Sequence, residues 1–115
     1  HKSILYGEQY CRHVILIVEG VVDVWSGGPG TVATMGVSYT KTQLLRMLQY
    51  PVRYVCFDTE SDAQRRADRL CVDLSMLPGS TNRLVLESGK DLNDADPAEV
   101  LEIKKRCFPE RYDGT

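Results

Sequence analysis

The chain is 115 residues long and 43% hydrophobic, with a formal charge of −2 and a sequence pI of about 5.6. That length suits one domain with a single core, and the near-neutral balance excludes a protein that grips nucleic acid by bulk positive charge alone. The longest apolar run is five residues, too short for a membrane-spanning helix, and the opening residues carry no signal-peptide pattern.

Val14-Ile15-Leu16-Ile17-Val18 is an unbroken run of β-branched residues and Leu, the pattern of a strand buried on both faces of a parallel sheet. It ends at Glu19-Gly20. A short helix is expected over Val21 to Trp25, stopped by Gly27-Gly28-Pro29-Gly30. Thr31 to Met35 reads as a second strand, closed by Gly36. Thr40 reads as a helix N-cap, with Gln43 as the return half of a capping box. Leu44, Leu45 and Leu48 give that helix an apolar face, and Pro51 lies just past its end.

Arg53 to Phe57 is the third expected strand, ending at Asp58. Ser61 is the expected cap of a helix over about 62–76. Its Ala63, Ala67, Leu70, Cys71 and Leu74 recur at helical spacing toward the sheet, leaving Gln64, Arg65, Arg66, Asp68 and Arg69 to face out. After a Pro78-Gly79-Ser80 turn, Arg83 to Glu87 is the fourth strand and Gly89 to Asn93 a loop. Asp96-Pro97-Ala98-Glu99 is a helix start, with a capping Asp and Pro at the first helical position. That helix runs to about Arg106, and the tail after Pro109 is expected to fray.

Strand and helix alternate four times with short connections, which predicts an α/β fold: a mostly parallel four-stranded sheet with helices on both faces. The expectation is one domain over 1–115, with its core at about 13–106. Cys11, Cys56, Cys71 and Cys107 form no C-x-x-C pair and only two His residues are present, so no zinc site is expected. Reduced, structural cysteines in a cytoplasmic protein are the expectation. Trp25 and Tyr39 are expected to pack in the core rather than stack on a base.

In open α/β sheets ligands bind beyond the carboxyl ends of the strands. Glu19 ends the first strand; Asp58 ends the third, with Glu60 two residues on; Gly89-Lys90-Asp91 and then Asp94 follow the fourth. Carboxylates gathered on one edge repel one another unless offset, and hard oxygen donors suit Mg²⁺ or Mn²⁺. The same acids are also compatible with ordinary loop and capping roles. Sharper motifs fail. Asp58, Glu60 and Asp62 alternate like an EF-hand loop, but Ala63 and Arg69 stand where Gly and Glu are needed. Phe57-Asp58-Thr59-Glu60 lacks the second Asp and Thr of haloacid-dehalogenase-type phosphatases. Gly27 to Gly30 lacks the Gly-Lys-Ser/Thr of a P-loop, and no G-x-G-x-x-G occurs.

Val18-Glu19-Gly20-Val21-Val22-Asp23-Val24 resembles the V-E-G-x-x-D-V segment of TOPRIM domains in bacterial DnaG-type primases and phage or mitochondrial primase-helicases. Val32-Ala33-Thr34-Met35-Gly36, with Thr40 and Leu44-Leu45, is similar to their second strand and helix. Phe57-Asp58-Thr59-Glu60 falls where the family has its D-x-D, Arg65-Arg66-Ala67 at the basic start of the next helix, and Gly89-Lys90-Asp91-Leu92-Asn93-Asp94 at its G-K-D loop. The match is collinear over about residues 14–100. It implies a TOPRIM, Rossmann-like fold. It implies Glu19, Asp58 and Glu60 as catalytic, metal-binding residues, and Asp23, Asp62, Asp91 and Asp94 as supporting acids. Gly20 and Gly36 would allow tight turns, and Lys90, Arg65 and Arg66 would contact phosphate. Two departures stand out: Glu60 replaces the second Asp, and Asp62-Ala63 replaces the family's Ala-Gly.

The resemblance implies Mg²⁺- or Mn²⁺-assisted nucleotidyl transfer in DNA replication, as the catalytic domain of a DNA primase-like protein. The partners implied are single-stranded DNA template or RNA, nucleotides, and neighbouring domains or a helicase. No membrane is expected, and the location implied is the cytoplasm or nucleoid. Two alternatives stay open on the same fold: a small nuclease hydrolysing phosphodiesters, and a catalytically weak nucleic-acid-binding or assembly module.

Overall fold

The structure is a computed structural model, described over residues 5–35 and 39–112. The Val14–Val18 run forms β1 at the middle of the sheet, with Ile15, Leu16, Ile17 and Val18 all fully buried. The elements follow as α1 (Val21–Gly27), β2 (Thr31–Ala33), α2 (Lys41–Met47), β3 (Val52–Val55), α3 (Ser61–Ser75), β4 (Ser80–Arg83) and α4 (Pro97–Cys107). The strands lie in the order β2-β1-β3-β4 and every pairing is parallel, with Leu16 opposite both Thr31 and Tyr54, and Val55 opposite Arg83.

Side chains alternate across a strand, so β1 feeds two cores. Ile15 and Ile17 join Val32 and Val55 beneath α2 and α3, against Met47, Ala63, Ala67, Leu70 and Leu74. Leu16 and Val18 join Ala33 and Cys56 beneath α1 and α4, against Val24, Leu84, Leu86 and Cys107. Helices cover both faces, as the alternating pattern predicts.

Several boundaries differ from the sequence expectation. β4 begins at Ser80 rather than Arg83, because its register pairs Val52 with Ser80 and Val55 with Arg83. The polar residues Ser80, Thr81 and Asn82 are tolerated there because this strand lies at the sheet edge. Leu84 and Leu86, whose alternation mimics a strand, instead pack into the α1–α4 core beyond it. Glu60, not Ser61, is the N-cap of α3, and neither its side chain nor that of Asp96 at the head of α4 makes a capping bond. The expected capping box does form in α2: Gln43 N donates to Thr40 Oγ1 at 3.1 Å, and Thr40 N to Gln43 Oε1 at 2.9 Å.

Trp25 is 68% exposed rather than in the core, its indole N–H donating to the Tyr6 hydroxyl. Tyr39 is half-buried against the α2–α3 core, and its hydroxyl donates to Asp73. The four cysteines are free thiols, and burial pushes Cys56 up to about 12. Among the described residues, no helix is long and apolar enough to cross a membrane.

Two features had no signature in the sequence. Tyr6 forms an antiparallel bridge to Ala33, so the segment before the sheet covers the outer edge of β2. Arg53, in the middle of β3, is fully buried, and its guanidinium donates to the carbonyls of Tyr50, Leu74 and Pro78 and to Thr81 Oγ1.

Candidate metal centre

Parallel pairing puts every strand's carboxyl end on one edge of the sheet, opposite the end bolted by Arg53. Glu19 follows β1 directly, Asp23 lies in the first turn of α1, Asp58 follows β3, and Asp91 sits in the loop before α4. Carboxylate oxygens of Asp23, Asp58 and Asp91 all lie within 4.8 Å of one another. They open into a cavity of about 540 Å³ that Glu19, Arg66 and Val22 also line.

Backbone groups fix the cluster. Asp23 is 6% exposed and accepts a hydrogen bond from Asn93 N at 2.9 Å. Asp91 Oδ1 accepts from Asp94 N at 2.8 Å, and Asp94 Oδ2 accepts from Lys90 N at 3.1 Å, so the loop folds upon itself. Thr59 N donates to Lys90 O at 2.8 Å, which ties this loop to the turn carrying Asp58. Gln64 Nε2 donates to Asp58 O at 2.7 Å, bracing that turn from α3. A Cβ on Gly89 would stand 2.5 Å from Ala95 Cα and 2.6 Å from Ala95 N. Gly89→Ala must therefore displace the loop backbone. It is expected to cost about 1–3 kcal/mol in urea unfolding and to weaken cation binding, because Asp91 moves with the loop.

The electrostatics are those of crowded carboxylates. Burial, then Glu19, Asp23, Asp91 and Glu60, push Asp58 up to about 6. Burial raises Asp23, with Asp91 and Glu19 adding to the rise and the Asn93 N–H opposing it. Three clustered carboxylates, with the charge disfavoured on Asp58 and Asp23, are a hard-oxygen donor set that fits a small divalent cation.

The residues expected from sequence divide into two groups. Asp58, Asp23 and Asp91 converge, and Glu19 faces the same cavity with its Oε2 bonded to Arg66 Nε at 2.8 Å. Glu60 is exposed and turned to Lys90, whose Nζ is 2.6 Å from Glu60 Oε1; that bond holds Glu60 below the usual carboxylate range. Asp62 pairs with Arg65 on the exposed face of α3, away from the cavity, and Asp94 is spent within its loop. Gly20 has an extended backbone (φ −117°) that any residue adopts, so its freedom is not what makes the turn. Gly36 lies outside the described residues. Gln64 and Asn93 were missed, since a glutamine and a loop backbone amide carry no sequence signal for a site. Because Glu60 is engaged elsewhere, Glu60→Gln is expected to change divalent-cation affinity by less than about threefold, measured by calorimetry.

A doubly wound parallel sheet with an acidic cluster beyond its carboxyl edge defines the class of this protein. A Toprim-like family model matches residues 16–96, which include Glu19, Asp23, Asp58 and Asp91. The chain belongs to the Toprim-like family. Among solved structures it is similar to the primase fragment of the bacteriophage T7 primase-helicase protein, with a TM-score of 0.62 at 18% identity, over 96% of this chain and 48% of that one. The chain thus spans about half the length of that fragment, and the likeness is one of fold. No curated protein matches its sequence at a significant level.

Proposed function

We propose that this chain is a TOPRIM catalytic domain, with its core over about 13–106, that carries out Mg²⁺- or Mn²⁺-dependent phosphodiester chemistry as the nucleotidyl-transfer unit of a DNA primase-like protein. The observation that carries this reading is the convergence of Asp23, Asp58 and Asp91 within 4.8 Å at the carboxyl edge of the sheet. These three would hold the cation, and Glu60 would join them only by leaving Lys90. A divalent ion held by these residues would supply charge stabilisation for a phosphoryl transfer. The chain's own contribution is to hold three carboxylates in place through Asn93 N, Asp94 N and the Thr59–Lys90 tie.

Arg66 in the cavity, Lys90 beside it and Arg65 farther out on the exposed face of α3 would contact nucleic-acid phosphate. The substrates would be a single-stranded DNA template or RNA together with nucleotides, in the cytoplasm or nucleoid. Neighbouring domains or a helicase would supply the binding surfaces that a fold of this size lacks. The similarity to only part of the T7 primase fragment supports that need.

The test is calorimetric titration of Mg²⁺ and Mn²⁺, followed by assay on labelled single-stranded DNA with and without nucleotides and partner domains. Nucleotide-dependent extension in the presence of a partner domain supports the reading. Cleavage without nucleotides replaces nucleotidyl transfer by hydrolysis at the same site. A wild-type chain that binds neither cation refutes both.

A further inference from the structure

Arg66 is the one cation lining the acidic cavity among the described residues, and its guanidinium is only partly used. Its Nε donates to Glu19 Oε2 at 2.8 Å, and no hydrogen bond among the described residues engages its NH1 or NH2 groups. The pair is sheltered, with the Glu19 side chain 13% exposed and that of Arg66 31% exposed. Arg66 rises from α3 between the fully buried Ala63 and Ala67, so its root is fixed by the core.

A guanidinium presents five N–H donors in a rigid planar fork. With Nε committed to Glu19, the NH1 and NH2 groups retain four donors at the cavity wall. Paired oxygens of a phosphate match such a fork. Asp58 acts on Arg66 electrostatically, yet no cavity carboxylate other than Glu19 bonds to it. Pairing with Arg66 also offsets the Glu19 charge, which would otherwise confront an incoming phosphate.

The geometry points to Glu19 as a positioning residue: it holds Arg66 through Nε so that the NH1 and NH2 groups present a preset fork to phosphate oxygens beside the Asp23–Asp58–Asp91 cluster. This rests on reading the cavity as a phosphoryl-transfer site. It assigns Glu19 an action through Arg66 in addition to any bond to the cation. The ligand chemistry is a phosphoryl group, from the backbone of a single strand or from a nucleoside triphosphate.

The two roles of Glu19 separate on substitution. Glutamine keeps an oxygen that accepts from Arg66 Nε, whereas alanine does not. The experiment measures binding of a labelled single-stranded oligonucleotide by fluorescence anisotropy, and of a nucleoside triphosphate by calorimetry, each with and without Mg²⁺. The variants are Arg66→Ala, Arg66→Lys, Glu19→Gln and Glu19→Ala, with thermal melts to establish folding. Arg66→Ala and Arg66→Lys are expected to weaken phosphate-ligand binding about tenfold. Arg66→Ala should also lower the slope of log affinity against log salt by about 1, whereas Arg66→Lys, which keeps the charge, should leave the slope near that of the wild type. Glu19→Gln is expected to stay within about twofold of wild type and Glu19→Ala to fall with Arg66→Ala.

A loss confined to the oligonucleotide assigns the fork to the strand backbone, and one confined to the triphosphate assigns it to the nucleotide. Wild-type affinity for both ligands in folded Arg66→Lys and Arg66→Ala, or Glu19→Gln falling as far as Glu19→Ala, overturns the proposal. Failure of the wild type to bind Mg²⁺ strikes the phosphoryl-transfer reading instead. The metal-free arms then still decide whether Glu19 sets an Arg66 fork for phosphate.

Discussion

Asp58→Asn is expected to abolish measurable divalent-cation binding while making the cation-free protein more stable. Both effects come from one crowded carboxylate. Burial and the charges of Glu19, Asp23, Asp91 and Glu60 push Asp58 up to about 6, against about 3.9 for an unfolded chain. Between these values the folded chain binds more protons than the unfolded one, so stability falls as pH rises through that window. Asp58 is therefore unfavourable to the cation-free fold at neutral pH, and a neutral amide of the same shape relieves it. The same amide removes the charge at the centre of the cluster. A loss of at least about 100-fold in Mg²⁺ or Mn²⁺ affinity is expected, with any metal-dependent activity lost in step. Protons compete for Asp58, so wild-type affinity should also decline as pH drops through about 6. Thermal melts from about pH 4.5 to 8, with and without Mn²⁺, read every part of this. The wild type should gain a cation-dependent rise in Tm toward neutral pH, and Asp58→Asn should melt higher without cation and gain nothing from it. A variant that keeps the cation-dependent rise removes Asp58 from the cation site.

The framework of this site was legible because burial leaves a pattern. Val14–Val18 is apolar on every residue since β1 is covered on both faces, and Glu19 and Asp58 stand out because each follows an apolar run. From there, parallel topology alone puts them on one edge. Which acids converge was not legible, because it depends on contacts that sequence spacing does not encode. Asp23 lies in the first turn of α1, and it is held by a backbone amide from Asn93, seventy positions away. Glu60 stands two residues after Asp58, yet its side chain meets Lys90 from the neighbouring loop and turns outward. β4 was misplaced for a related reason. Leu84 and Leu86 alternate as a half-buried strand does, but their burial comes from α1 and α4 rather than from pairing. The paired residues Ser80, Thr81 and Asn82 sit at an edge, where polarity costs little.

Arg53 is where the largest loss of stability is expected. Its guanidinium, fully buried in β3, collects the carbonyls of Tyr50 at 2.8 Å, Pro78 at 3.2 Å and Leu74 at 3.3 Å, and Thr81 Oγ1 at 3.1 Å. Leu74 lies in the last turn of α3, so a cation there also meets the negative end of the helix dipole. The same group joins the α2–β3 turn, the end of α3 and the α3–β4 turn, and so sets the end of the sheet away from the acids. No carboxylate bonds to it among the described residues; carbonyl dipoles and a hydroxyl satisfy it instead. Removing it leaves several buried acceptors without their donor and opens a cavity. Arg53→Ala is expected to lose about 3 kcal/mol or more, and Tm by more than about 10 °C. Arg53→Met refills much of the volume but supplies no donor, so a loss of about 2 kcal/mol or more should remain. Lysine brings charge without the fork and should fall between alanine and the wild type, since one ammonium cannot span acceptors on three separate segments. Urea unfolding at constant m-value measures each, and Mg²⁺ titration of the folded fraction should show unchanged affinity, because the acids lie at the opposite edge. An Arg53→Met variant as stable as wild type would mean that the side chain fills space there and the hydrogen bonds contribute nothing.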